Sequence, residues 1–289
     1  MSLDAWALVC LNAVSLGALL FLVAAGLSMI FGLMRIVNVA HGSFYMLGAY
    51  LSLEILRHVG NQFVAVVLAV AAVALLGGLM QRLLIERLAG NALHQILMTF
   101  GFLLIISDFA LIVWHGAQVI LPTPAALQGF ATVRDVRFPV YRLFVIVIGF
   151  VIAATLDVMQ RRTLLGAMVR AGADDIEMLS CMGIDVRRLF VIVFAFGAAL
   201  AALGGALGGV YLGVYPGIDL EICILAFVVV IVGGLGSFRG TMAASLLVGF
   251  IGNLANAFLP QLSMFAISLL MVAVIAIRPS GLFGRRIVA

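Results

Sequence analysis

Charge is scarce in this chain. Only 10% of its 289 residues are charged, and lysine is absent, so all 16 basic residues are arginines. A soluble globular domain carries about 25% charged residues. Hydrophobic residues make up 65% of the chain, and its mean hydropathy is +1.30. The composition therefore excludes an ordinary soluble domain and indicates a protein that lies in a membrane.

Other absences exclude specific chemistries. The chain has no G-x-x-x-x-G-K-[ST] phosphate loop, so it cannot hydrolyse ATP by that route. The three cysteines, Cys10, Cys181 and Cys223, are too far apart for a metal or redox motif and are interpreted as small apolar residues. The arginines fall in short loops rather than in one basic patch, which argues against nucleic acid as a partner. No cofactor and no metal are expected.

Long apolar runs fill the rest of the chain. A run of about 20 residues crosses the ~30 Å hydrocarbon layer as a helix, whereas a transmembrane barrel shows short alternating strands. Nine runs stand out, at 8–32, 36–56, 63–83, 95–120, 139–158, 189–213, 222–236, 240–258 and 262–277. The sequence predicts an all-α polytopic membrane protein with about eight to nine transmembrane segments, in a single domain over 1–289.

Two of the nine runs are unusual. The run at 36–56 contains polar residues in the stretch MRIVNVAHGSFYMLGAY, residues 34–50. The run at 222–236 spans only about 22 Å as a helix and leads into GGLGSFRG, residues 233–240. Such glycine density favours a broken helix, or a hairpin that enters and leaves the membrane on one side.

The arginine distribution predicts the orientation. If all nine runs cross and the N-terminus is outside, twelve arginines fall on one side and only Arg57, Arg134, Arg137 and Arg142 on the other. The first side is then cytoplasmic and holds the C-terminus. If 36–56 does not cross, the N-terminus becomes cytoplasmic instead.

A cytoplasmic loop at 159–188 has the signals of an ordered element. Asp174 is a candidate helix cap with Glu177 as its reciprocal capping-box partner. Gly183 suits the left-handed position that ends a helix, and Asp185 is a candidate cap for the next one. The apolar stripe of this short helix consists of Ile176, Leu179 and Met182.

Two interpretations of that helix remain open. It is either an amphipathic linker at the membrane surface or a rigid docking element that presents Met178, Leu179 and Met182 to a groove on a cytoplasmic partner.

Four motifs in order resemble one known family. They are GLSMIFGLMRIVNVAHGSFYMLGAY at 26–50, RAGADDIEMLSCMGID at 170–185, GGLGSFRGTMAASLLVG at 233–249 and IRPSGLFGRR at 277–286. These motifs resemble those of LivH-type permeases of branched-chain amino acid ABC importers. The shared patterns are, in order, N-x-A-H-G; R-A followed by an acidic pair and then G-I; G-G-x-G-S-x-x-G; and R-P-x-G-L-x-G. The matches span essentially the whole chain. Asp175 and Asp108 depart from the amide or neutral residues common in the family.

The resemblance implies an importer permease fold and a set of partners. It implies a multi-pass protein of the bacterial inner membrane, working with two ABC ATPase subunits, a second and different permease subunit, and a periplasmic solute-binding protein. The solute would be a branched-chain amino acid, while relatives that carry urea, short amides or aromatic acids leave that choice open. The residues expected to couple to the ATPases are Arg170, Asp174, Asp175, Glu177, Met178, Leu179 and Gly183.

Polar residues at membrane depth mark candidate pathway positions, because such groups are costly unless paired or wetted. The candidates are Asn38, His41, Gly42, Asp108 and Asn253. If the stretch is helical, Asn38 and His41 share one face. They either line the pathway or join helices beside it by hydrogen bonds. Asp108 is either a pathway residue or a hydrogen-bonded acid that faces the bundle.

Two rival functions are weighed. A proton-coupled secondary transporter would need no ATPase and would depend on Asp108 or His41. An intramembrane enzyme would use His41 and Ser43, but residues two apart lie on different helix faces and do not form a nucleophile–base pair. The sequence therefore favours a transport subunit over an enzyme.

Overall fold

The computed structural model describes residues 3–133 and 136–284. The helices are α1 Leu3–Met34, α2 His41–Val59, α3 Gln62–Met80, α4 Ala92–Trp114, α5 Val140–Arg162, α6 Leu164–Asp174, α7 Ile176–Cys181, α8 Val186–Tyr211, α9 Ile218–Gly233, α10 Phe238–Phe258 and α11 Ser263–Ile277. A short antiparallel hairpin joins α4 to α5, with strands β1 Phe130–Val133 and β2 Val136–Pro139.

Six helical stretches within these described ranges are long and apolar enough to cross a membrane. They are Trp6–Met34, Gln62–Leu88, Ala92–Trp114, Val140–Arg162, Val186–Tyr211 and Phe238–Phe258. The helix α11 contributes a shorter apolar stretch, Phe265–Ile277. The all-α membrane architecture is confirmed, whereas the expected count of eight to nine crossings remains a prediction.

The helices α1, α2 and α8 form the centre of the bundle, and α1 also packs on α5, α9 and α10. The glycines of α8 allow this close packing. A Cβ on Gly205 would overlap the carbonyl of Tyr45 in α2, and one on Gly204 would press on Val23 in α1. These glycines are buried inside this chain.

The bundle has two distinct ends. The first end holds α6 and α7, because Leu33 near the end of α1 lies against Gly172 of α6. At the second end Trp6 of α1 packs on Phe258 of α10, with ring centroids 6.0 Å apart.

The arginines separate between these ends. Those at helix termini of the first end are Arg35, Arg82, Arg87, Arg161, Arg162, Arg170, Arg187, Arg188, Arg239 and Arg278, whereas Arg57, Arg137 and Arg142 belong to the second end. Three more that the orientation argument counted, Arg134, Arg285 and Arg286, lie outside the described residues.

The run predicted at 36–56 is not one helix. Residues 35–40 are non-helical, and α2 starts only at His41. The ring of His41 reaches the carbonyl of Val23, which lies about 16 Å along α1 from Met34. The chain therefore turns back from the first end, enters the bundle as non-helical backbone, and begins α2 at depth.

The helix α9 also begins inside the bundle. Its second residue, Asp219, lies against Gly42 at the start of α2. From there α9 runs to the turn at 234–237, where Gly236 lies against Gly32 near the end of α1. Since α2 runs towards the second end and α9 towards the first, they are two part-depth helices whose N-termini meet.

Candidate functional site

The meeting point of α2 and α9, which we call the junction, consists of Asn38, His41, Gly42, Ser43 and Asp219. Neither helix has a capping side chain in front of it, because Ala40 precedes α2 and Gly217 precedes α9. Six other helices do have such caps, from Asn61, Asn91, Thr163, Asp175, Asp185 and Ser237. The first N–H groups at the junction bond to nearby backbone instead, His41 N–H to the Asn38 carbonyl at 3.4 Å and Ile218 N–H to the Tyr215 carbonyl at 3.1 Å.

Side chains from α4 and α9 bind the non-helical backbone that enters the junction. The N–H of Val39 donates to the Thr99 hydroxyl of α4 at 3.2 Å. The thiol of Cys223 in α9 donates to the Val39 carbonyl at 3.2 Å. Non-helical backbone is tolerated at membrane depth only where protein groups or water satisfy it. Thr99 and Cys223 supply those groups here, and the sequence identified neither.

Replacing Thr99 with valine is expected to destabilise the protein. Valine keeps the shape but leaves the partly buried N–H of Val39 without this acceptor, which costs about 1–3 kcal/mol. The matched control is Thr155→Val in α5, because the Thr155 hydroxyl is exposed and donates only to the carbonyl of Val151 in its own helix. The unfolding temperature in detergent should decrease clearly for Thr99→Val and not for Thr155→Val. Equal unfolding temperatures for the two variants would contradict this role.

A hydrogen bond links a buried carboxylate of α9 to α2. The Ser43 hydroxyl donates to Asp219 Oδ2 at 3.1 Å, and both residues are at most 1% exposed. The Ser107 hydroxyl of α4 lies close to the same carboxylate, as do the first N–H groups of α9. Asp219 is therefore a buried acid between helices and not part of a solvated turn.

Gly42 makes the close approach of α2 and α9 possible. A Cβ at this position would overlap the carbonyl oxygen of Asp219 and would come within 2.9 Å of the Cβ of Cys223. Only a residue without a side chain fits between these atoms. Gly42 therefore sets the distance between the two helix N-termini.

Asn38 and His41 are fully buried, with no exposed surface. They do not share a helix face as expected, because Asn38 precedes α2 in the non-helical stretch. His41 Nε2 lies 2.9 Å from the carbonyl of Val23, so His41 does join α2 to α1. Within the described part of the chain, no hydrogen-bond partner contacts either polar atom of the Asn38 amide or Nδ1 of His41.

The remaining two pathway candidates lie elsewhere. Asp108 is exposed on the outer side of α4, about 9 Å from the helix end at Trp114 and not at mid-span as predicted. Asn253 is partly buried in α10, and its amide donates to the Gly249 carbonyl of its own helix at 3.0 Å. Neither residue belongs to the junction, so the structure separates the five candidates into three places.

The loop at 159–188 contains two helices, α6 and α7, instead of one. Thr163 caps α6, and the cap of α7 is Asp175, whose Oδ1 accepts from the Met178 N–H at 3.0 Å. The predicted capping box was therefore wrong by one residue, since Asp174 ends α6. The cap of α8 by Asp185 is confirmed, as is the left-handed backbone of Gly183, with φ 80°.

The side chains of α7 point in two directions. Leu179 is buried and lies beside Gly172 of α6, so it anchors the helix and is not presented as predicted. Met178 and Met182 are 61% and 72% exposed. Arg170, Asp174, Asp175, Glu177 and Gly183 are exposed as well. The first end of the bundle thus carries a folded, capped surface with two exposed methionines.

Comparison with known proteins gives a family. The family model described as "Branched-chain amino acid transport system / permease component" matches residues 9–275. The chain belongs to this family. The match includes both the junction and the α6–α7 loop, so the two features lie within the permease component itself.

Individual permeases are similar along almost the whole chain. The high-affinity branched-chain amino acid transport system permease protein BraD of Pseudomonas aeruginosa is 28% identical, over 95% of this chain and 94% of its own length. The corresponding protein LivH is 27% identical with the same coverage, in Salmonella typhimurium and in Escherichia coli K12.

A solved structure has a similar fold. A chain of PsaBC from Streptococcus pneumoniae in complex with Fab superposes with a TM-score of 0.52, covering 92% of this permease and 89% of that chain. The sequence identity is 11%, so the likeness concerns the fold.

Proposed function

We propose that this chain is a permease subunit of an ATP-driven importer for branched-chain amino acids, which translocates solute delivered by a periplasmic binding protein. The observation that carries the proposal is the similarity to BraD and LivH over 95% of the chain. Their names specify high-affinity branched-chain amino acid transport. Urea, short amides and aromatic acids are the alternative solutes.

The arginine-rich first end is proposed to face the cytoplasm, as the positive-inside rule requires. The surface formed by α6 and α7 then lies where ATPase subunits bind, and the C-terminus is cytoplasmic. Counting α2, α9 and α11 with the six long helices gives nine segments, of which α2 and α9 enter the bilayer only in part. The chain works with two ATPase subunits and a second, different permease.

The pathway is proposed to run along the exposed side of α4, between this chain and the second permease. A carboxylate is costly in lipid, so Asp108 faces the pathway or the partner and not the bilayer. Its neighbours on that side are the exposed apolar residues Leu104, Ile105 and Ile112. This arrangement gives α4 one side towards the junction and one towards the solute.

ATP-driven closure of the ATPases is proposed to push on α6 and α7. Short connections join α6 to α5 at Thr163 and α7 to α8 at 182–185, and α5 and α8 carry the displacement into the membrane. An apolar cavity of about 100 Å³ lies behind α6, lined by residues that include Met29, Val169 and Phe196. The cavity leaves room for α6 to move against α1 and α8.

Uptake by the reconstituted complex tests the function. Proteoliposomes that contain this chain, its partner permease, the ATPases and the binding protein should take up leucine only when ATP is present on the side of the membrane that carries the ATPases. Asp108→Asn in the same complex tests the rival of proton coupling. We expect ATP-dependent uptake to persist in that variant at reduced rate, whereas uptake without ATPase subunits that is lost on Asp108→Asn would establish a secondary transporter.

A further inference from the structure

The buried carboxylate of Asp219 has an unused oxygen. Oδ2 accepts the hydrogen bond from Ser43, while Oδ1 has no hydrogen-bond partner within the described ranges. The side chain is 1% exposed, and none of the ion pairs between described residues includes it. A buried carboxylate is stable when hydrogen-bond donors surround it. The unpaired Oδ1 can accept a hydrogen bond from one further donor, including a cationic one.

Hydrogen-bond donors surround the carboxyl group of Asp219. Ser43 donates to it, the Ser107 hydroxyl is close, and the first N–H groups of α9 lie against it. The partial positive charge of a helix N-terminus adds to these donors. The carboxylate is therefore held in place with one oxygen available to a group that can donate to it.

The neighbouring amide is also without a partner. Both polar atoms of Asn38 are buried and unpaired within the part of the chain that the structure describes, and so is Nδ1 of His41. Such unpaired groups are rare in native proteins, and each needs an explanation. Asn38, His41 and Asp219 all belong to the junction, where two helix N-termini meet at membrane depth. In transporters the N-termini of such broken helices face anionic groups, and the group that they face here is the Asp219 carboxyl.

We propose that the junction binds the ammonium group of the solute during transport, with Asp219 Oδ1 as its acceptor. This inference rests on the proposed function, since an amino acid carries an ammonium group. Asp219 is thus a specificity residue for solutes that contain a protonated amine.

The site is closed in this conformation, and α4 is the helix that covers it. Thr99 binds the non-helical entry and Ser107 lies near Asp219, so α4 separates the junction from the outer side that carries Asp108. Only five side chains of α4 are buried, Gln95, Thr99, Leu103, Ile106 and Ala110. Displacement of this lightly packed helix opens the junction to the pathway.

The test measures binding to the complete complex in phosphatidylcholine nanodiscs, without the binding protein. The probes are leucine, 3-methylbutylamine, which lacks the carboxylate, and 4-methylpentanoate, which lacks the ammonium group. Saturation-transfer NMR gives the affinity of each, with empty nanodiscs subtracted. We expect leucine and the amine to bind at least about tenfold more tightly than the acid, because a hydrogen bond to a charged group has that strength.

Asp219→Asn should reduce this preference to less than about threefold, since it removes the charge and keeps the shape. The matched control is Glu221→Gln on the same helix, because Glu221 is exposed and accepts from the Tyr215 hydroxyl at 2.8 Å. The control should keep the wild-type preference. Equal preference in Asp219→Asn and wild type, or no preference in wild type, would overturn the inference.

A second variant covers the case in which Asp219→Asn does not assemble. Ser43→Ala removes a donor that holds the carboxylate in place, so the preference for the amine over the acid should fall at least about twofold, and an unchanged or larger preference contradicts the proposal. The outcome is separable from that of the uptake assay. Amine preference without ATP-driven leucine uptake would refute the branched-chain function while leaving the ammonium site in place.

Discussion

Replacing Gly42 with valine should abolish recovery of the folded protein from detergent-extracted membranes. The added Cβ would overlap a backbone carbonyl of α9, which cannot rotate away as a flexible side chain can. Overpacking a core usually costs about 1–3 kcal/mol, and native stability is only about 5–15 kcal/mol. Here α2 and α9 would have to separate, and the bond from Ser43 to Asp219 would break with them.

The matched control for Gly42→Val is Gly101→Ala in α4. A Cβ at Gly101 meets no atom within 4 Å, and alanine favours the helix more than glycine does. Size-exclusion chromatography of fluorescently tagged protein should show a normal monodisperse peak for Gly101→Ala and loss of that peak for Gly42→Val. A normal peak for both would mean that the junction is looser than its contacts indicate.

Replacing Met178 with glutamate should remove the ATPase subunits from the purified complex. Met178 is 61% exposed on a capped, rigid helix, and a charge at the centre of an apolar contact is left without a partner. A loss of about 1.4 kcal/mol corresponds to a tenfold decrease in affinity, and we expect at least that. The fold should persist, since the side chain contributes little to the core.

Co-purification with the tagged permease measures this effect. Val59→Glu is the control, because Val59 is 47% exposed at the opposite end of the bundle and receives the same charge. The control should retain its ATPase subunits. If Met178→Glu retains them as well, α7 is an interfacial linker and the docking surface lies elsewhere.

Local sequence signals predicted local structure well. Apolar runs located the long helices, with end points that differ by a few residues, because burial in lipid selects composition over each run. The signals of Asp185 and Gly183 gave the correct helix start and stop. The cap of α7 was misplaced from Asp175 to Asp174, since two adjacent acids give the same signal and the backbone decides between them.

Composition, hydropathy and the four ordered motifs determined, without any coordinates, that this is an α-helical membrane permease with an ordered loop at 159–188. These properties depend on residues that are close together in the sequence, so the sequence alone is enough to predict them. Only the tertiary structure revealed the junction, because its bonds join residues far apart in the chain. Ser43 and Asp219 are separated by 176 positions, and Val39 and Thr99 by 60. No periodicity specifies such pairs; they exist because two helices begin inside the bundle, where polar groups must find partners.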